Sequence, residues 1–227
     1  VVIYIPAKAQ DQTPPVNPQA APGGVVTGAV INRSKDAEIP QSLDVMLHVV
    51  DQSYAEKGML HGKSLPDGSF KFEEVPLENG LLYAVMGIYQ GIAYYSDPVP
   101  YEGGAGLKID LPIYASTHDL SQAQVNQMHV FFNFAQDGLE VKQIFIFSNQ
   151  GDRTITGTLM LEDNRPATVK FPLPPDANFI FFEPNDSTRF VKLTVVFADT
   201  APLLPGERSG QLMVSYLLPA SKQLSYS

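Results

Sequence analysis

From Gly24 onward, apolar and polar residues alternate in short runs with a period of two, the pattern of strands that bury one face. "VVTGAVINRS" alternates around an internal glycine, and "SLDVMLHVVDQ" alternates on Val45, Leu47 and Val49. "GSFKFEEV" sets Phe70 and Phe72 on one face and Lys71 on the other, with Val75 also directed inward and Pro76 ending the run. "LLYAVMGIYQGIAYYSDPV" reads as one long run or as two strands meeting between Gly87 and Gly91. "GLKIDLPIY" groups Leu107, Ile109 and Leu111. Gly, Pro, Asn and Asp fill the gaps, and no window holds a sustained helical period; the expectation is a β-sandwich.

The second half keeps the same style without repeating the sequence. In "QMHVFFNFAQDGLEVKQIFIFSNQGDRTITG", His129, Phe131 and Asn133 alternate with Val130, Phe132 and Phe134. Asp137-Gly138 is a strong hairpin signal, with Val141 to Phe147 as the partner strand. "GTLMLE", "ATVKFPLPPDANFIFFEP", "RFVKLTVVFADTAPLLPGE" and "SGQLMVSYLLP" continue the β pattern. The period pauses between Tyr114 and Val125, which predicts a junction near Ile113 to Asp119.

The start of the chain differs. "VVIYI", Val1 to Ile5, is apolar and β-prone. The Ala7-Lys8-Ala9 that follows matches the small-x-small pattern of a secretory cleavage site. "DQTPPVNPQAAPGG", Asp11 to Gly24, predicts an extended tether, because proline fixes φ and removes backbone donors. The expected organisation is therefore residues 1–22 as a strand or signal remnant with its tether, 23–114 as one β-sandwich and 115–227 as a second. An isolated apolar pentapeptide needs a sheet edge or groove to become ordered. Val1, Val2, Ile3, Tyr4 and Ile5 are the candidate partner-binding residues.

Composition narrows the function. The 227 residues carry a formal charge of -9 and a pI near 4.8, a balance that repels nucleic-acid phosphates and anionic membrane surfaces. With no cysteine, disulfides, thiolate metal sites and thiol catalysis are excluded. No run approaches the roughly 18 apolar residues of a membrane span, so membrane association is expected only through a partner or an anchor outside the chain.

Candidate chemistry is sparse. His48, His61, His118 and His129 form no local zinc spacing. Ser116 and His118 in "STHD" are too close along a strand to act as nucleophile and base, and there is no nucleophile elbow; the segment reads as a turn between domains. "SNQGDRT" has one charged oxygen ligand, too few for a calcium loop. "EDN" (162–164) and "PNDSTRF" read as loops. Asp67, Glu73 and Glu74 lie close in sequence, but Pro66-Asp67-Gly68 is turn chemistry. Glu73 and Glu74 point to opposite faces of a strand. Tyr83, Tyr89, Tyr94, Tyr95 and Tyr101 cluster, a choice between core and edge packing on one side and a sugar-stacking platform on the other.

"GGVVTGAVINRS", "LDVMLHVVD", "LPDGSFKFEEVP", "YAVMGIYQGIAYYSDPV" and "GLKIDLPIY" together resemble a carboxypeptidase regulatory-like domain, a transthyretin- or prealbumin-like β-sandwich. "IYASTHD", "FSNQGDRTITG", "VKFPLPPDA", "ADTAPLLPGE" and "VSYLLP" resemble the domain that often follows it in exported bacterial envelope proteins. The resemblance implies location and architecture, and no enzymatic motif comes with it. Related modules bind starch through exposed tryptophans, and this chain has none. The expected protein is an all-β, two-domain, extracytoplasmic, non-catalytic scaffold without a cofactor. It acts through protein contacts, its own copies among them, in an envelope assembly, surface appendage or filament. The rival classes are a carbohydrate-binding module using the tyrosine segment and a metal-dependent hydrolase with ligands gathered from distant strands.

Overall fold

The computed structural model describes residues 23–161, 165–183, 189–193 and 196–220. They are almost entirely β, as the alternation predicts; the one helical turn is a short 3₁₀ segment, Leu120–Gln122. The first half contains β1 (Gly24–Asn32), β2 (Asp44–Asp51), β3 (Glu56–Lys63), β4 (Ser69–Val75), β5 (Leu81–Tyr89), β6 (Ile92–Tyr95), β7 (Val99–Pro100), β8 (Gly106–Lys108) and β9 (Leu111–Ile113). One layer centres on β1, which pairs with β4 on one side and with β8 and then β9, both parallel to it, on the other. The opposing layer runs β3-β2-β5-β6, with β7 also on β5.

Between these layers the alternate residues meet as one core. Val26, Val30, Phe70, Phe72 and Ile109 come from the first layer, and Val45, Leu47, Val49, Tyr83, Val85 and Tyr94 from the second. Two backbone features close it. Gly28 lies so near β8–β9 that a Cβ there would fall 1.8 Å from the Ile109 carbonyl oxygen, so only glycine fits. Glu74 has φ 56, and the β1–β4 register shifts between Gly24 and Val26. This bulge lets Val75 turn inward three residues after Phe72 rather than two.

The second half contains β10 (Ser116–Thr117), β11 (Ala123–Ala135), β12 (Gly138–Asn149), β13 (Thr154–Ile155), β14 (Leu159–Met160), β15 (Pro166–Ala167), β16 (Val169–Pro172), β17 (Asn178–Glu183), β18 (Phe190–Lys192), β19 (Val196–Asp199) and β20 (Gly206–Pro219). A large sheet, β11-β12-β20-β17, faces a smaller one, β16-β19-β18. Leu139, Val141, Phe145, Phe147, Leu212, Val214 and Tyr216 from the large sheet pack on Phe171, Phe190 and Phe197 from the small one. The Phe171 and Phe197 rings stack 4.8 Å apart. Arg189 makes two hydrogen bonds to buried Asp199, at 2.8 and 2.6 Å, which pin the edge of the small sheet.

The two cores meet through hydrogen bonds. Ser34 is buried; its hydroxyl donates to the Asp152 carbonyl at 2.6 Å and accepts from the Ala115 amide at 2.8 Å. The Lys35 amide donates to the Asp152 carboxylate at 2.6 Å. Tyr94, from the first core, donates to the Tyr114 carbonyl at 2.7 Å and lies 2.8 Å from the Thr154 hydroxyl. The "SNQGDRT" bend is thus a joint that grips the end of β1.

Candidate functional site

The residues singled out for chemistry are dispersed. His48 sits on β2 beside Glu56 at 3.2 Å, His61 on β3, and His118 against the Thr156 carbonyl at 3.1 Å. His129 stacks on Phe131. Among the described residues, no three His, Asp or Glu side chains gather. Ser116 donates through both its amide and its hydroxyl to Gln90 at 2.8 Å, away from His118. Asp67 accepts from the Ser69 hydroxyl and amide at 2.7 and 2.9 Å, which holds its carboxyl below the usual range. It closes a turn. The tyrosine segment does not form a platform: Tyr83 and Tyr94 are buried in the first core, Tyr89 and Tyr101 are half-buried, and Tyr95 is exposed. The residues of "EDN" and 184–188, like Val1 to Ile5, lie outside the described residues.

A different feature emerges at the edge of the large sheet. β11 pairs with β12 along nearly its whole length, and among the described residues no strand pairs with its other side. In an antiparallel pair every second residue turns its N–H and C=O away from the partner, and β11 is an edge strand among the described residues. The strand is thirteen residues long. It contains no charged residue and no proline between Ala123 and Ala135. Its only register shift lies near the joint, between Val125 and Gln127, so the stretch from Gln127 to Ala135 is regular.

Two of the other edges are guarded. β3 carries Glu56, Lys57 and Lys63, and its pairing shifts register between Val49 and Val50. β17 ends in Glu183 and is bulged between Asn178 and Phe181. Charges and bulges of this kind keep an edge from accepting a further strand, and β11 lacks them over Gln127 to Ala135.

One face of β11 is apolar, with Met128, Val130, Phe132 and Phe134, and the other mixes Phe131 with Gln127, His129 and Asn133. Met128, Phe132 and Phe134 align with Phe145, Val141 and Leu139 on the core side, yet are 54%, 51% and 86% exposed. On the outer side Phe131, 55% exposed, aligns with Lys142. A groove of about 400 Å³ runs across this outer face between Phe131, Asn133, Glu140, Lys142, Leu217 and Phe179. Phe179 sits in the β17 bulge at φ 49 and is 84% exposed. The sequence reading found the strand but not its exposure. The available signal was three phenylalanines within four positions, on both faces of an uncharged strand.

No family model matches this chain, and no curated protein matches it. Among solved structures it is similar to the Corynebacterium diphtheriae major pilin SpaA, described as pointing to a modular pilus assembly with stabilizing isopeptide bonds. Identity is 12% and the TM-score 0.24, over 88% of this chain and 59% of the pilin. The chain therefore spans less than two thirds of that protein's length.

Proposed function

We propose that this chain is a non-catalytic structural protein of a cell-envelope assembly, surface appendage or filament, and that it assembles by accepting a strand from a protein partner, its own copies first, onto the outer edge of β11. The observation that carries this reading is the length of that uncharged edge strand and the exposure of Met128, Phe131 and Phe134 along it. Strand addition pairs the outward backbone groups of an edge strand and covers apolar side chains in one step. Burial of Tyr83 and Tyr94 weighs against the carbohydrate platform. Ala7-Lys8-Ala9 and the absence of cysteine accord with an extracytoplasmic location. The resemblance to regulatory-like domains, and the division into domains at 23–114 and 115–227, belong to the same reading.

Hydrogen–deuterium exchange over a concentration series tests it. The amides of Gln127 to Ala135 that face away from β12 exchange rapidly in dilute protein and become protected as the chain assembles. An assembled form in which these amides exchange as fast as in the dilute protein overturns the reading.

A further inference from the structure

We propose that the outer face of the β2–β3 ladder binds a soft monovalent metal ion, Cu(I), with the imidazoles of His48 and His61 and the thioethers of Met46 and Met59 as its ligands. The site is separate from β11 and does not depend on strand addition there.

Alternation brings the four side chains together. Val45, Leu47 and Val49 of β2 are buried in the first core, so Met46 and His48 face the other way. In the β2–β3 ladder Met46 pairs with His61, and His48 pairs with Met59. Directly opposed residues of an antiparallel pair have Cβ atoms about 5 Å apart, and residues two apart on one strand are separated by about 7 Å. The four side chains therefore stand at the corners of one small rectangle, close enough for two nitrogens and two sulfurs to converge on one ion. Met86 of β5 pairs with Met46 on its other side and adds a third thioether beside the set. Methionine often fills gaps inside a core, but these side chains face away from it. β3 is the outer strand of its sheet, and Met59 is 48% exposed, so the face is open to an ion from solvent.

His48 supplies a second, independent observation. Its Nδ1 lies 3.2 Å from a carboxylate oxygen of Glu56. An ionised carboxylate only accepts, so in the neutral ring Nδ1 carries the proton and Nε2 keeps the lone pair. Nε2 is shut off from solvent and, among the described residues, has no hydrogen-bond partner. Buried polar atoms ordinarily have one. A carboxylate on the far ring nitrogen is also the usual support of a metal-bound histidine, because it fixes the tautomer and strengthens the ligating nitrogen.

The donor set selects the ion. Thioethers are soft and favour Cu(I), and imidazole suits copper as well. All four ligands are neutral, so the set offsets none of the charge of a divalent ion. The thiolates that hold structural zinc are absent from the chain. Calcium and magnesium take oxygen ligands, and the four positions offer none.

The test titrates the full chain, without oxygen, with Cu(I) held by the chromophoric chelator bicinchoninate. The methionine ε-methyl groups are followed by NMR in protein labelled at those carbons. The wild-type chain is expected to withdraw one equivalent of copper. The Met46 and Met59 signals should shift, and those of Met160 and Met213 should stay in place. Zn(II) at the same concentration should move none of them. Met46→Leu and Met59→Leu keep the side-chain volume and lose the sulfur, and His48→Phe keeps a ring and loses both nitrogens. Each, checked for native circular dichroism, should bind Cu(I) at least about tenfold more weakly. Met160→Leu, on β14, should bind as the wild type does. The proposal is overturned if bicinchoninate keeps all its copper, if the Met46 and Met59 methyl groups do not respond, if Zn(II) moves them equally, or if any of the three site variants binds with wild-type affinity.

Discussion

One phenol spans the joint between the two cores beside the Ser34 and Lys35 hydrogen bonds, and Tyr94→Phe isolates its contribution. The ring is 1% exposed and stays in place in the variant, so apolar burial is retained. What is lost is the hydroxyl, which bonds the Tyr114 carbonyl at 2.7 Å and the Thr154 hydroxyl at 2.8 Å. Each intramolecular hydrogen bond contributes about 0.5–1.5 kcal/mol net, and an orphaned buried group costs at the upper end. Thr154 is fully buried, so the expected loss is about 2 kcal/mol. The protein has no tryptophan, so urea unfolding is followed by tyrosine fluorescence and circular dichroism together. The midpoint should fall with an unchanged slope. A cycle with Thr154→Val should give a coupling near 1 kcal/mol. Burial raises the Tyr94 pKa above 10, an effect partly offset by the Thr154 and Tyr114 hydrogen bonds. With a raised folded value, this contribution is fully present below the ordinary tyrosine pKa and is lost as pH rises through the folded value. Tyr94→Phe should therefore flatten the alkaline limb of the stability profile. A loss below about 0.5 kcal/mol, or an additive cycle, would show that the phenol does not hold the joint.

Asp199→Asn breaks the bonded pair with Arg189 and should cost about 3 kcal/mol in urea unfolding, at the low end for a buried pair because Arg189 keeps some contact with water. Gly28→Ala should destabilise the first sandwich by at least about 3 kcal/mol, since its Cβ would meet the Ile109 carbonyl at 1.8 Å and backbone must move; a melt matching the wild type would refute that close approach. Asp51 accepts from the Ser53 hydroxyl, pairs with Lys57 and accepts from the Ala55 amide, and these hold its carboxyl well below the usual range. Its contribution is present above the ordinary aspartate pKa and is lost only as pH falls through the lower folded value. NMR titration should find Asp51 still ionised where an ordinary aspartate is protonated, and Asp51→Asn should reduce the acid dependence of stability.

Most strands were readable because burying one face imposes alternation, as at Val45, Leu47 and Val49. β3 was not. "EKGMLHGK" is an edge strand with charges and glycines, and it has no fully buried residue to mark a period. Glu74 also escaped, because a left-handed residue inside a bulge has no composition of its own. The candidate site was half legible. Alternation identified β11, but it reads the same whether or not a face is covered, and coverage depends on how far the opposing sheet extends. Val1 to Ile5 drew attention through their composition alone. The acceptor needed the sheet order, which places β11 outermost.

The position of β1 has a mechanical consequence. Any load entering through Gly23 pulls along a strand held on both sides, by β4 in one direction and by β8 and β9 in the other. Ladder hydrogen bonds lie across the strand axis, so this tension shears both rows together instead of peeling them one bond at a time. At its far end β1 passes the load to Ser34 and Lys35, and from there to the Asp152 bend that leads back into β12. A chain of such units would resist rupture through many bonds breaking at once, with the joint, held by a few hydrogen bonds, as the first part to stretch.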